Sequence, residues 1–178
     1  MKSEKEVVEL FSGKDVVVIG NAISLNRNRL NAITENKENL ITCAFNKGVE
    51  RFKPDVAFLA VADWWNSRID VRDSLTIHCS PVQRPSLTAD YTIPLNTIET
   101  LKKIADVKRP SSGFIANAFL CQSRLKIKSV TLIGFDFKAT PTYYDKRIIR
   151  ENEPHDYNKE AFFTQDFFVL KKKYKIIK

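Results

Sequence analysis

No stretch of the chain approaches the ~20 consecutive apolar residues that a membrane-spanning helix requires. The N-terminus, Met1-Lys2-Ser3-Glu4-Lys5-Glu6, mixes charges and carries no apolar signal core. Cysteine is scarce. Cys43, Cys79 and Cys121 are odd in number and widely scattered, which suits free thiols in a reducing compartment and not a disulfide framework. The expectation is a soluble, cytoplasmic protein. Histidine is scarcer still, with His78 and His155 alone, and two histidines with three separated cysteines are poor material for a zinc site. No Gly-x-x-x-x-Gly-Lys occurs, so a P-loop is excluded, and no strand end carries the three glycines of a dinucleotide fingerprint. There is no Asp-x-Asp either, the pair that usually holds a divalent ion against a sugar nucleotide.

What is present is the composition of an ordinary globular chain. At 178 residues, with 43% hydrophobic and 28% charged residues, it can bury a core without staples and reads most simply as one domain, 1–178. The formal charge of +8 invites a nucleic-acid reading. The lysines are spread along the chain, however, and the one dense run is Lys171-Lys172-Lys173 with Lys175 and Lys178. A solvated basic face is favoured over a nucleic-acid surface, and an anionic substrate would also welcome the excess.

Hydrophobic patterning sets out the elements. Glu4 to Phe11 predicts a short helix stopped at Ser12-Gly13. Asp15-Val16-Val17-Val18-Ile19-Gly20 is a β-branched run of the kind buried in parallel sheets. Further strands are predicted at Asn39 to Phe45, Asp55 to Val61, Ser74 to His78, Ser129 to Ile133 and Tyr174 to Ile177. The polar stretch up to Glu38 is expected to be helical in part. Ser80 to Thr92, broken by Pro81 and Pro85, reads as a long loop or short extended pieces. Asn96 to Ala105 predicts a helix capped by Asn96, and Phe114 to Leu120 another that begins at Ser111-Ser112-Gly113. Strands alternating with helices give an α/β fold, a mostly parallel sheet with helices on both faces. In such sheets ligands sit beyond the carboxyl ends of the strands. Four polar clusters fall there: Gly20-Asn21, Asn46-Lys47, Asp63-Trp64 and Gly134-Phe135-Asp136.

Each candidate has a plain structural reading beside the functional one. Gly20-Asn21-x-x-Ser24 is a tight turn or a nucleotide loop. Ser111-Ser112-Gly113 is ordinary capping chemistry or a helix start whose amides and hydroxyls suit a phosphate. His155 is a surface residue of a polar loop, or a base at the start of a last helix that contains Phe162, Phe163, Phe167 and Phe168. The positive end of that helix would keep the ring neutral, as a base requires. The phenylalanines themselves are expected to be core.

The order of these motifs resembles the sialyltransferase superfamily, both the animal-type enzymes with their sialylmotifs and the shorter bacterial ones. Val18-Ile19-Gly20-Asn21-Ala22-Ile23-Ser24-Leu25 is similar to the opening of the large sialylmotif, and Phe45-Asn46-Lys47 to its later Asn-Lys. Arg109-Pro110-Ser111-Ser112-Gly113 with Gly134-Phe135-Asp136 looks like the small motif. Thr142-Tyr143-Tyr144-Asp145 resembles the third, and His155-x-x-x-x-Glu160 the very small one.

The resemblance implies a single Rossmann-like, GT-A-variant domain. It also implies a metal-independent, inverting transfer of a sialic-acid-type sugar from a CMP-sugar donor to a glycan or other hydroxyl acceptor. No cofactor is implied. Asn21, Ser24 and Asn46 would contact the nucleotide, with Arg109, Ser111, Ser112, Gly113 and Asp136 in the donor site and His155 the base. Thr142 stands where the animal enzymes carry a phosphate-binding His, so Tyr143 or Tyr144 would have to donate instead. Ala44 stands where an arginine is usual. Two rival classes remain: a pterin diphosphokinase-like nucleotide transferase with a similar Gly-Asn-x-x-Ser-Leu opening, and a basic nucleic-acid-binding module. A glycosyltransferase acting on modified DNA would combine the basic charge with this fold.

Overall fold

The computed structural model describes residues 1–20, 25, 27–35, 38–46, 48–60, 69–79, 89–135, 156–165 and 174–177, with backbone alone at 27, 29 and 174–177. The first helix, α1 (Glu4–Phe11), starts on a reciprocal cap: Ser3 Oγ accepts from the Glu6 amide while the Glu6 carboxylate accepts from the Ser3 amide. It stops at Ser12, and Gly13 then takes φ +72°, a conformation that costs glycine little. Val7 and Phe11, four residues apart, share the buried face.

Among the described residues, seven strands form one sheet: β1 (Asp15–Ile19), β2 (Leu40–Phe45), β3 (Val56–Leu59), β4 (Leu75–His78), β5 (Tyr91–Thr92), β6 (Ser129–Ile133) and β7 (Tyr174–Ile177). Their order is β5-β4-β3-β2-β1-β6-β7, and every pairing is parallel. The helices after α1 are α2 (Arg27–Thr34), α3 (Gly48–Phe52), α4 (Leu95–Ala105), α5 (Ser112–Leu120) and α6 (Tyr157–Phe163). Alternate residues of β1 separate two cores. Val16 and Val18 join Phe11, Ile98 and Phe119 under α1, α4 and α5. Val17 and Ile19 join Leu30 and Val49 under α2 and α3. The sheet is therefore covered on both faces, as its continuous apolar strands require.

The chain builds outward from β1 to β5, then crosses back to place β6 on the other side of β1. That reversal opens a crevice at the carboxyl ends of β1 and β6, the usual position of a ligand in such folds. The opposite end of the sheet is pinned. Asp15 accepts from Ser129, Asp55 from the amide and hydroxyl of Thr42, and Asp90 from those of Thr76. Each aspartate begins or immediately precedes its strand and lies opposite the hydroxyl residue it binds, so each pair fixes a strand register.

Several expectations are corrected. The fourth helix starts at Leu95 with Pro94 in the capping position and no side-chain cap, so Asn96 lies inside the first turn. The Pro94 carbonyl takes the amides of Thr97 and Ile98 instead. The short α3 was not anticipated. It forms where Asn46 turns the chain and Val49 drives its side chain into the second core. Phe162 is 70% exposed, not core, because it lies about 200° round the helix from the buried Glu160. Phe163 does pack inward, edge-on against Phe114 at 5.7 Å between ring centres. No helix among the described residues is long and apolar enough to cross a membrane.

Candidate functional site

The crevice is floored by glycine against glycine. A Cβ on Gly20 would lie 2.2 Å from the Gly134 carbonyl oxygen and 2.9 Å from the Phe135 ring. Gly134 itself has φ +73°, and the Gly20 amide donates to the Ile133 carbonyl at 2.7 Å. Gly20 is thus demanded by the close ends of β1 and β6, whatever binds above them. Phe135 lies across this junction. Its ring meets Phe45 edge-on at 5.9 Å and passes the position where Gly113 would carry a side chain. One ring therefore ties the ends of β1, β2 and β6 to the start of α5.

Asn46 closes β2. Its φ of +45° is a left-handed conformation that asparagine tolerates better than most residues. Its side-chain oxygen accepts from the Ala60 amide at 2.9 Å, tying the ends of β2 and β3. That bond turns the side-chain nitrogen toward Ser112, whose Oγ lies 3.5 Å away, at the outer limit of a hydrogen bond.

A helix start leaves four amides without intrahelical partners. In α5 two are taken. Phe114 N–H donates to the capping Ser111 Oγ, and Ser111 N–H donates to Glu160 at 2.6 Å. The Ser111 hydroxyl donates to the second Glu160 oxygen, also at 2.6 Å. The amides of Ser112 and Gly113 have no partner among the described residues. The Gly113 Cβ position is 3.4 Å from Phe135, an ordinary contact, so neither crowding nor a positive φ requires glycine there.

Glu160 is 2% exposed and comes from α6, which starts on Asp156, whose side chain accepts from Lys159 N–H. Its neighbour Lys159 donates to the Asp106 carbonyl and carboxylate, at 2.9 and 2.5 Å, at the left-handed end of α4. The hydrogen bond from Lys159 holds the Asp106 carboxyl below its usual range, and that partnership raises Lys159. Burial pushes the Cys43 thiol up and lowers His78.

The structure thus gathers Asn46, Ser111, Ser112 and Gly113 at the switch-point crevice, with Arg109 exposed on the approach to α5. Asn21, Ser24, Asp136, Tyr143, Tyr144 and His155 lie outside the described residues, as do Asp63, Trp64 and Lys171 to Lys173. Two participants had no role assigned from sequence. Glu160 stood in a spacing motif, but nothing in that spacing says that it reaches back 49 positions to Ser111. Phe135 carried no signal beyond following a strand. Among the described residues no three His, Cys, Asp or Glu side chains gather to hold a metal ion.

No protein-family model and no curated protein matches the sequence. Solved structures do match. The fold is similar to that of a mammalian sialyltransferase. That enzyme was crystallised with Gal-beta-1-3GalNAc-ortho-nitrophenol, and the likeness has a TM-score of 0.66 at 16% identity. It covers 96% of this chain and 71% of that one. At that identity the likeness is one of fold: a Rossmann-like α/β architecture carried over nearly the whole chain.

Proposed function

We propose that the chain is a glycosyltransferase that moves a sialic-acid-type sugar from a CMP-sugar to an acceptor hydroxyl, without a metal ion. The observation that supports this reading is the contact of Asn46 with Ser112 at the crevice, beside Gly113 in the first turn of α5. Asn46 and Ser112, 66 positions apart in sequence, meet at the ends of β2 and α5, in a fold similar to that of a sialyltransferase. The amides of Ser112 and Gly113 would receive the nucleotide, with no side chain at 113 to obstruct its approach. His155 would take the acceptor proton as the acceptor oxygen bonds to the anomeric carbon. The bond from that carbon to the phosphate oxygen breaks, and CMP leaves with its electron pair. Tyr144, or Tyr143, would donate a hydrogen bond to the departing phosphate. The acceptor would be a glycan or another hydroxyl compound.

A thermal-shift comparison of CMP, CDP, UDP, GDP and ATP tests the donor. A ligand at a hundred times its Kd stabilises a protein by ~2.7 kcal/mol, which for a chain of this size is roughly 5–10 °C. CMP is expected to give the largest shift, unchanged by EDTA. A larger shift with ATP would favour the diphosphokinase-like rival. Salt-sensitive DNA binding with no nucleotide shift would favour the nucleic-acid module.

A further inference from the structure

Two adjacent residues of α6 reach in different directions. Glu160 accepts from the amide and hydroxyl of Ser111, at the start of α5. Lys159 donates to the carbonyl and carboxylate of Asp106, at the end of α4, with the Asp156 carboxylate 3.8 Å away. Between these anchors runs the short α4–α5 connection, with Val107 buried and Arg109 exposed. Tertiary contacts, more than helix propensity, hold a helix such as α6 in place, so its orientation depends on what fastens it. Phe163 against Phe114 and Glu160 on Ser111 both fasten α6 to α5. Lys159 fastens α6 to a different helix, at the end of α4.

We propose that Lys159 and Asp106 are positioning residues: their bond fixes the roll of α6 and so keeps the Glu160 carboxylate on Ser111 at the nucleotide-facing turn. The consequence for turnover rests on the donor reading above, since α6 follows directly on the residue proposed as base. The bond itself is exposed, and its partners are accessible to salt. Bulk ions should therefore loosen α6, whereas the buried Glu160 contact alone would be nearly indifferent to them.

Amide hydrogen exchange on the full chain decides the matter without any substrate. In Lys159→Met, exchange should quicken about two- to five-fold at both 107–114 and 156–163, with β1, β2 and β6 unchanged. Lys159→Arg should restore protection. In the native protein, raising salt from 50 to 500 mM should reproduce part of the loss, and Lys159→Met should show no such dependence. Should Lys159→Met fail to fold, Asp106→Asn keeps the carbonyl bond and should give a smaller change in the same two segments. Unchanged exchange at 107–114 in the variant that folds would overturn the proposal, as would quickening spread evenly over the sheet. A second arm uses turnover: Lys159→Met should lower kcat by a similar factor at constant donor KM, with Arg rescuing it. The absence of CMP binding in the native protein would remove the donor reading and leave the exchange result to stand or fall alone.

Discussion

The two ends of the sheet are built on opposite principles. At the amino ends of the strands, Asp15, Asp55 and Asp90 each meet a hydroxyl on the neighbouring strand, and the bonds are reciprocal where Asp55 and Asp90 also donate their own amides. At the carboxyl ends, Gly20 and Gly134 touch backbone to backbone, Asn46 sits in a left-handed turn, and two amides of α5 are left over. The first end uses its polar groups to fix register. The second leaves polar groups for something else, and holds them in place with a phenylalanine ring and a buried glutamate. Polar residues that satisfy one another contribute to stability; polar residues that converge on a gap are the ones to test for function.

The sharpest way to break that contrast is to compare two glycines of the second end. Gly20→Ala forces a Cβ against the backbone of Gly134 and should destabilise the fold by about 3 kcal/mol or more, read by chemical denaturation. Gly113→Ala should do the reverse. With room for a methyl group in the first turn of a helix, it should leave stability unchanged or raise it by up to about 1 kcal/mol. It should nonetheless weaken CMP binding at least tenfold by calorimetry. Equal CMP affinity in Gly113→Ala would show that no ligand approaches this turn.

At the first end, Asp90→Ala strips the partner from the amide and hydroxyl of the buried Thr76. A loss of about 1–3 kcal/mol is expected, with CMP affinity unaltered. A change in affinity as large as that from the site variants would dissolve the distinction between the two ends.

The smallest effect expected is a pH dependence. His78 is 4% exposed at the end of β4, its Nε2 has no hydrogen-bond partner among the described residues, and burial depresses its pKa. A folded-state pKa below the unfolded value of ~6.5 means that the unfolded chain binds the proton more readily. Stability is then full above that pH and declines as pH falls through it. Melting temperature should therefore drop from pH 7.5 to 5.5, and His78→Leu should flatten the slope. A slope unchanged in the variant would assign the acid sensitivity to other groups.

Much of the fold was legible in the sequence because its strands are apolar on both faces. Asp15-Val16-Val17-Val18-Ile19 admits little but a central parallel strand, and the observed bounds of β1, α1 and β6 follow the predicted ones closely. The helix at Leu95 begins earlier than read because Pro94 uses its carbonyl where a side-chain cap was expected. Phe162 misled because composition was read without phase: Glu160, Phe163 and Thr164 share the inward side, and Phe162 falls on the other. Asn46, Ser111, Ser112 and Gly113 could be named from local patterns at a strand end and a helix start. Glu160 could not be given its part, since its partner is 49 residues away and only the parallel packing of α5 and α6 brings them together.

The proposed transfer is tested most directly by following CMP release from CMP-sialic acid in EDTA, with the native protein and His155→Ala. The native protein should release CMP with an acceptor hydroxyl present, and His155→Ala should lose roughly 10²–10⁴-fold of that rate while binding CMP as tightly. Release that stops in EDTA and returns with manganese, or a His155→Ala rate equal to the native one, would contradict a metal-free transfer driven by this histidine.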